Sequence, residues 1–99
     1  MRWRFEAEAW LWAARTDSWV FVRVPEEVSA EIHDFADSFP RRGFGGVAVL
    51  VRVGGSSWRT SVFPESGSGC YVLPLKRAVR EAEGVEVGAP VDVDLELVL

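Results

Sequence analysis

The sequence predicts a mainly β domain with two short helices: a single barrel made of two intertwined strand-strand-helix-strand repeats and capped by its helices. Three observations predict it. Alternating or β-branched runs recur at strand length, two proline-led amphipathic stretches interrupt them at corresponding places, and glycine-rich turns separate the rest. Two such halves, about residues 1–53 and 54–99, intertwine into one barrel with few exposed sheet edges, and neither half alone buries enough surface to be stable.

In order along the chain, Arg2 to Leu11 alternates, with Trp3, Phe5, Ala7, Ala9 and Leu11 on one side and Arg2, Arg4, Glu6, Glu8 and Trp10 on the other, as a half-buried strand does. Ala13 to Asp17 offers turn chemistry, and Ser18 to Val24 (SWVFVRV) is β-branched and aromatic, so the two strands form a hairpin. Pro25 suits the first position of a helix whose first turn carries Glu26 and Glu27. Val28, Ile32, Phe35, Ala36 and Phe39 then recur at helical spacing until Pro40 stops them. Arg41 to Gly46 (RRGFGG) matches no phosphate-binding glycine pattern and reads as a chain reversal. Val47 to Val53 is a nearly continuous apolar strand, Gly54-Gly55-Ser56-Ser57 a hairpin turn, and Trp58 to Phe63 the returning strand. After the loop Pro64 to Gly69, Cys70 to Leu99 repeats the plan of strand, proline, short cationic helix and glycine-bounded loop. It closes on a strand with Val91, Val93, Leu95, Leu97 and Leu99 facing one way.

Ninety-nine residues, 48% of them hydrophobic, make one folded domain and exclude a disordered chain. The apolar runs fall short of the ~20 residues a membrane helix needs, and Met1-Arg2-Trp3-Arg4 lacks the apolar core of a signal peptide. A cytoplasmic protein is expected. The single cysteine forms no internal disulfide, and one Cys with one His cannot make a Cys/His metal set. Asp92, Asp94 and Glu96 alternate as a solvated strand face does, and no metal or cofactor is implied. His33 beside Asp34 reads as a surface or helix-end residue and Cys70 as a small buried hydrophobe, so the expectation is a protein that is not an enzyme. Most of the five tryptophans are expected in the core. Trp10 and Trp12 fall on the polar side of the first strand, where they either mark a contact surface or pack under a helix.

Charge is segregated. Residues 41–80 hold seven basic side chains and one acid, Glu65, whereas the remaining segments hold four basic and fourteen acidic ones. The two sets either pair across strands or leave a cationic face. The second helix sharpens this, because Pro74-Leu75-Lys76-Arg77 puts cations where the helix dipole is already positive. That arrangement costs ~0.3–1 kcal/mol each and favours a nearby anion. Arg41, Arg42, Arg59, Thr60, Ser61, Lys76, Arg77 and Arg80 are therefore the candidate site. The expected function is a binding module for an anionic small molecule or an acidic protein partner. The alternative is nucleic-acid binding, which the net charge of −4 disfavours.

The blocks RRGFGGVAVLVRVGGSSWRTSVFP and GCYVLPLKRAVREAEGVEVG, with their runs Trp58-Arg59-Thr60-Ser61 and Leu73-Pro74-Leu75-Lys76, resemble a small prokaryotic family of domains of unknown function. Some of its members are of the bacteriocin-protection or outer-membrane-protein-associated kind. The resemblance implies a bacterial protein with a double-split β-barrel, a fold shared with swapped-hairpin DNA-binding proteins of the AbrB and MazE type. This chain would be a single-chain counterpart of their dimers. It departs from those proteins at Gly88-Ala89-Pro90, where their helix ends at a glycine followed by aspartate.

Overall fold

A computed structural model of the chain describes residues 1–13, 18–37 and 45–98. The expected turn after residue 13, the helix stop at Phe39 and Pro40, the loop cations Arg41 and Arg42, and Leu99 lie outside the described residues.

The elements are β1 (Arg2–Ala13), β2 (Ser18–Arg23), α1 (Glu26–Ala36), β3 (Val47–Val53), β4 (Ser56–Pro64), β5 (Tyr71–Pro74), α2 (Arg77–Glu83) and β6 (Pro90–Leu97). The six strands close into a barrel in the order β1-β2-β5-β4-β3-β6, with every neighbouring pair antiparallel. Closure removes the free edges that an open sheet would expose. The pairing pattern is unchanged when β1, β2 and β3 are exchanged with β4, β5 and β6.

Strand alternation fills the interior. Val20 and Val22 of β2, Val24 just after it, Val49 and Val51 of β3, Val62 of β4, Leu73 of β5, and Val93 and Leu95 of β6 are all buried. These compact, mostly β-branched side chains suit a barrel too narrow for anything but its own residues. Ile32 and Ala36 of α1 and Val79 of α2 complete the core. No helix among the described residues is long and apolar enough to cross a membrane.

The helix starts differ from the sequence expectation. Pro25 is the residue before α1, where its carbonyl accepts the Ser29 N–H at 2.8 Å. Pro74 ends β5 and does not open a helix. Leu75 still donates to the Val20 carbonyl at 2.8 Å, so the chain stays extended through Lys76 and α2 starts only at Arg77. The physical reason is the unsatisfied Val20 carbonyl, which keeps the chain in the ladder past the proline.

Candidate functional site

The residues of the barrel wall that point outward on β1, β2, β5 and β4 define the most distinctive surface. Ala9 and Val22 are paired and point into the core, so the flanking residues on each strand point out. Trp10 lies opposite Phe21, and Trp12 opposite Trp19. Phe21 is in turn opposite Pro74 of β5, and Val72 is opposite Phe63 of β4. These seven apolar side chains line a hollow of about 510 Å³ on the outside of the barrel. That volume lies within the range of small-molecule sites.

The rings are ordered. Trp10 and Phe21 have centroids 5.3 Å apart with planes 31° from parallel, and Trp19 and Phe21 are 6.5 Å apart at 27°. Burial decreases along the hairpin, and Trp12 and Trp19 remain 48% and 51% exposed at the open end. Leu11 beside them is equally exposed although it falls on the inward-facing parity, opposite the buried Val20; β1 has by then run past its last partner on β6, at Glu8. The Nε1 hydrogen of Trp10 is out of water and has no acceptor among the described residues. A buried donor left without a partner costs ~1–3 kcal/mol. The expectation that most tryptophans are core residues is therefore corrected: Trp58 alone is buried, Trp3 packs partly buried against the core, and Trp10 and Trp19 pack on Phe21 on the outer wall of the barrel.

Charges frame the hollow unequally. At one end Arg23 places its guanidinium 5.4 Å from the Trp10 ring centroid and donates to both oxygens of Glu65, at 2.7 and 3.0 Å. The Arg23 bond, followed by one from the Ser68 hydroxyl, holds the Glu65 carboxyl below its usual pKa. Glu8 lies one residue beyond the first β1–β2 pair, Ala9 with Val22, on the side of Arg23. At the other end, the β2–β5 register continued past Leu75, whose N–H bonds the Val20 carbonyl, brings Lys76 beside Trp19, and Arg59 lies on the outward face of β4, four residues beyond the last β4–β5 pair at Phe63. Trp12, Trp19 and Lys76 thus share one cross-strand row, with Arg59 on the outer face of the next strand. Among the described residues neither Arg59 nor Lys76 has an ion pair or a side-chain hydrogen bond.

The structure separates the other sequence candidates. Ser61 falls opposite Ala48 on the outer face, whereas Thr60 pairs with Val49 and falls on the inner one. Arg77 is tied along its helix to Glu81 at 3.0 Å, and the Arg80 Nε donates to the Leu75 carbonyl at 3.1 Å. Arg41 and Arg42 lie outside the described residues. Elsewhere cations pair across strands, Arg2 with Asp94 at 2.6 Å and Arg52 with Asp94 and Glu96 at 3.9 and 3.7 Å.

The contribution of β2 to the hollow was not legible in the sequence. In SWVFVRV both alternating faces are apolar or aromatic until Arg23, so periodicity could not tell core from surface. The usable signal was parity, since Trp10 and Trp12 share the polar side of β1.

His33 is exposed on α1, 3.5 Å from Asp37, and Cys70 is buried. Among the described residues no three His, Cys, Asp or Glu side chains gather to hold a metal ion. A smaller hollow of about 210 Å³ adjoins Glu83, Glu86 and Asp92, but the Glu83 carboxylate in it is already engaged by Ser56 and Gly55.

Fold and surface together define a small closed β-barrel carrying an aromatic, cation-edged hollow on its outer wall. By sequence the chain belongs to the family described as a domain of unknown function, DUF1905, whose model matches residues 5–95. A search of curated proteins found no match.

Proposed function

We propose that the domain is a non-enzymatic binding module whose ligand, a small molecule with an anionic group, lies in the outer hollow with its charge toward Lys76 and Arg59. The observation that carries this is the pairing of half-exposed indoles, Trp12 at 48% and Trp19 at 51%, with two cations that have no partner among the described residues. Apolar area of this kind gains by being covered, and an anion nearby relieves the uncompensated charge. The unsatisfied Trp10 donor points the same way, because departures from local rules gather where function is. The anion contact then belongs to the end of β5 and to β4 more than to the first turn of α2. Anilinonaphthalene sulfonate emission titrated against the native domain and a Trp12→Ser/Trp19→Ser variant of unchanged Tm tests this. Loss of the emission gain in the variant supports the hollow, and equal gains refute it.

A second reading has one observation in its favour. Indoles displayed on a sheet beside cations can stack unpaired bases, which would suit a nucleic-acid-binding regulator of the swapped-hairpin type that the sequence resembles. It requires retention of an oligothymidylate at low salt that weakens steeply as salt rises. Absence of retention at low salt eliminates it. The equivalence of the two triplets of strands in the pairing pattern supports reading the chain as an internal duplication related to such dimers.

A further inference from the structure

We infer that the ligand is a planar aromatic anion, its ring stacked on Trp19 and Trp12 and its anionic group held between Lys76 and Arg59. The inference rests on the reading of the hollow as a ligand site.

Ring orientation argues for a flat ligand. Trp10, Phe21 and Trp19 form a shingled row whose planes differ by only 31° and 27° between neighbours, so the row presents ring faces at similar tilt. A further flat ring continues such a row in the offset geometry that aromatic pairs prefer, whereas a flexible chain covers area without that geometric gain. The row has one open end. Trp10 and Phe21 are partly covered, and the half-exposed Trp12 and Trp19 close the row away from Arg23.

Charge argues for the anion and for its position. At the covered end Arg23 is neutralised by Glu65. At the open end the row of Trp12, Trp19 and Lys76 contains no acid, and Arg59 lies on the outer face of β4, the next strand. Adjacent strands lie ~4.8 Å apart, so a sulfonate, carboxylate or phosphate one bond from a ring over Trp19 comes within reach of Lys76, and the long Arg59 side chain extends from the outer face of β4 on the far side of β5. The floor of Val72 and Pro74 offers no polar competitor.

The test is calorimetric titration of the intact domain with naphthalene sulfonate, decyl sulfonate and naphthalene methanol. Naphthalene sulfonate is expected to bind about tenfold more tightly than either of the others, the scale of a stacking or charge contribution in a partly solvated site. An Arg59→Gln/Lys76→Gln variant should bring it down to the affinity of naphthalene methanol while leaving the alcohol unchanged. Equal affinity for decyl sulfonate overturns the aromatic class, and equal affinity for the alcohol overturns the anion, each leaving the hollow as a site. Failure of all three probes removes the site itself. Tighter retention of an oligothymidylate than of naphthalene sulfonate overturns the small-molecule class in favour of nucleic acid.

Discussion

Ser56 donates its hydroxyl to Glu83 across 2.6 Å, which fastens the last residue of α2 to the turn between β3 and β4. The same carboxylate accepts the Gly55 N–H at 3.1 Å, and these two bonds, Ser56 first, hold its pKa below the ordinary carboxylate value. A group whose pKa is lowered by folding adds stability above its unfolded pKa, about 4.3 for a glutamate, and loses it as pH falls through the folded value. Glu83→Ala is therefore expected to lower Tm by a few degrees at neutral pH. The gap from the native protein should close in acid. Thermal unfolding of both proteins between neutrality and about pH 3 checks this, and a gap independent of pH contradicts it.

The same contact makes the two turn glycines unequal. Gly54 has φ +57°, and a Cβ there would collide with the Glu83 carboxylate. Gly55 has no such strain, and its nearest neighbour would be the other carboxylate oxygen at 4.0 Å. Left-handed backbone costs a non-glycine residue ~1–2 kcal/mol before any collision. Urea midpoints should therefore fall clearly for Gly54→Ala and little for Gly55→Ala, and equal shifts would contradict this account of the turn.

Ser29 is the only buried polar side chain among the described residues. It joins α1 to the barrel by donating to the Val24 carbonyl and accepting the Tyr71 N–H, both at 3.0 Å. Ser29→Ala leaves both backbone groups unsatisfied in the core, a loss of ~1–3 kcal/mol. Chemical denaturation should show that loss with an unchanged m-value, whereas a change below about 0.5 kcal/mol would mean the groups find other partners.

What could be read from the sequence follows the clarity of its periodicity. The alternation of β1 and β6, the apolar run of β3 and the glycines of the turn Gly54-Gly55-Ser56-Ser57 fix strand identity and the barrel class, because a period of two assigns a face as soon as one side is charged, although Ser56 and Ser57 pair with β3 as the start of β4 and leave a two-residue turn. The face of β2 was not assignable where both sides are apolar. The cationic signal at Lys76 was visible, but its neighbour was not, because Trp19 and Lys76 are brought together by the pairing of β2 with β5, which is long-range. Local spacing grouped Lys76 with Arg77 and Arg80, and folding commits both of those to contacts around their own helix.

That regrouping separates two adjacent cations. Arg77 is bound to Glu81 along α2, whereas Lys76 continues the β5 row beside Trp19. Lys76→Ala is expected to weaken naphthalene sulfonate binding several-fold and Arg77→Ala to leave it within twofold, the difference expected between an engaged and a displaced charge. Calorimetry on the two single variants decides it, and a larger effect at Arg77 would move the site to the start of α2.

The most direct measurement of where the ligand lies uses the five indole N–H groups as reporters. Trp3 donates its own to Glu31 at 2.8 Å and Trp58 is buried in the core, so neither should sense the outer hollow. In a nitrogen–proton NMR titration with naphthalene sulfonate, the account predicts saturable shifts of the Trp10, Trp12 and Trp19 indole signals and none for Trp3 and Trp58. Saturable shifts that leave the three hairpin indoles unmoved, or that appear equally at all five, would contradict it.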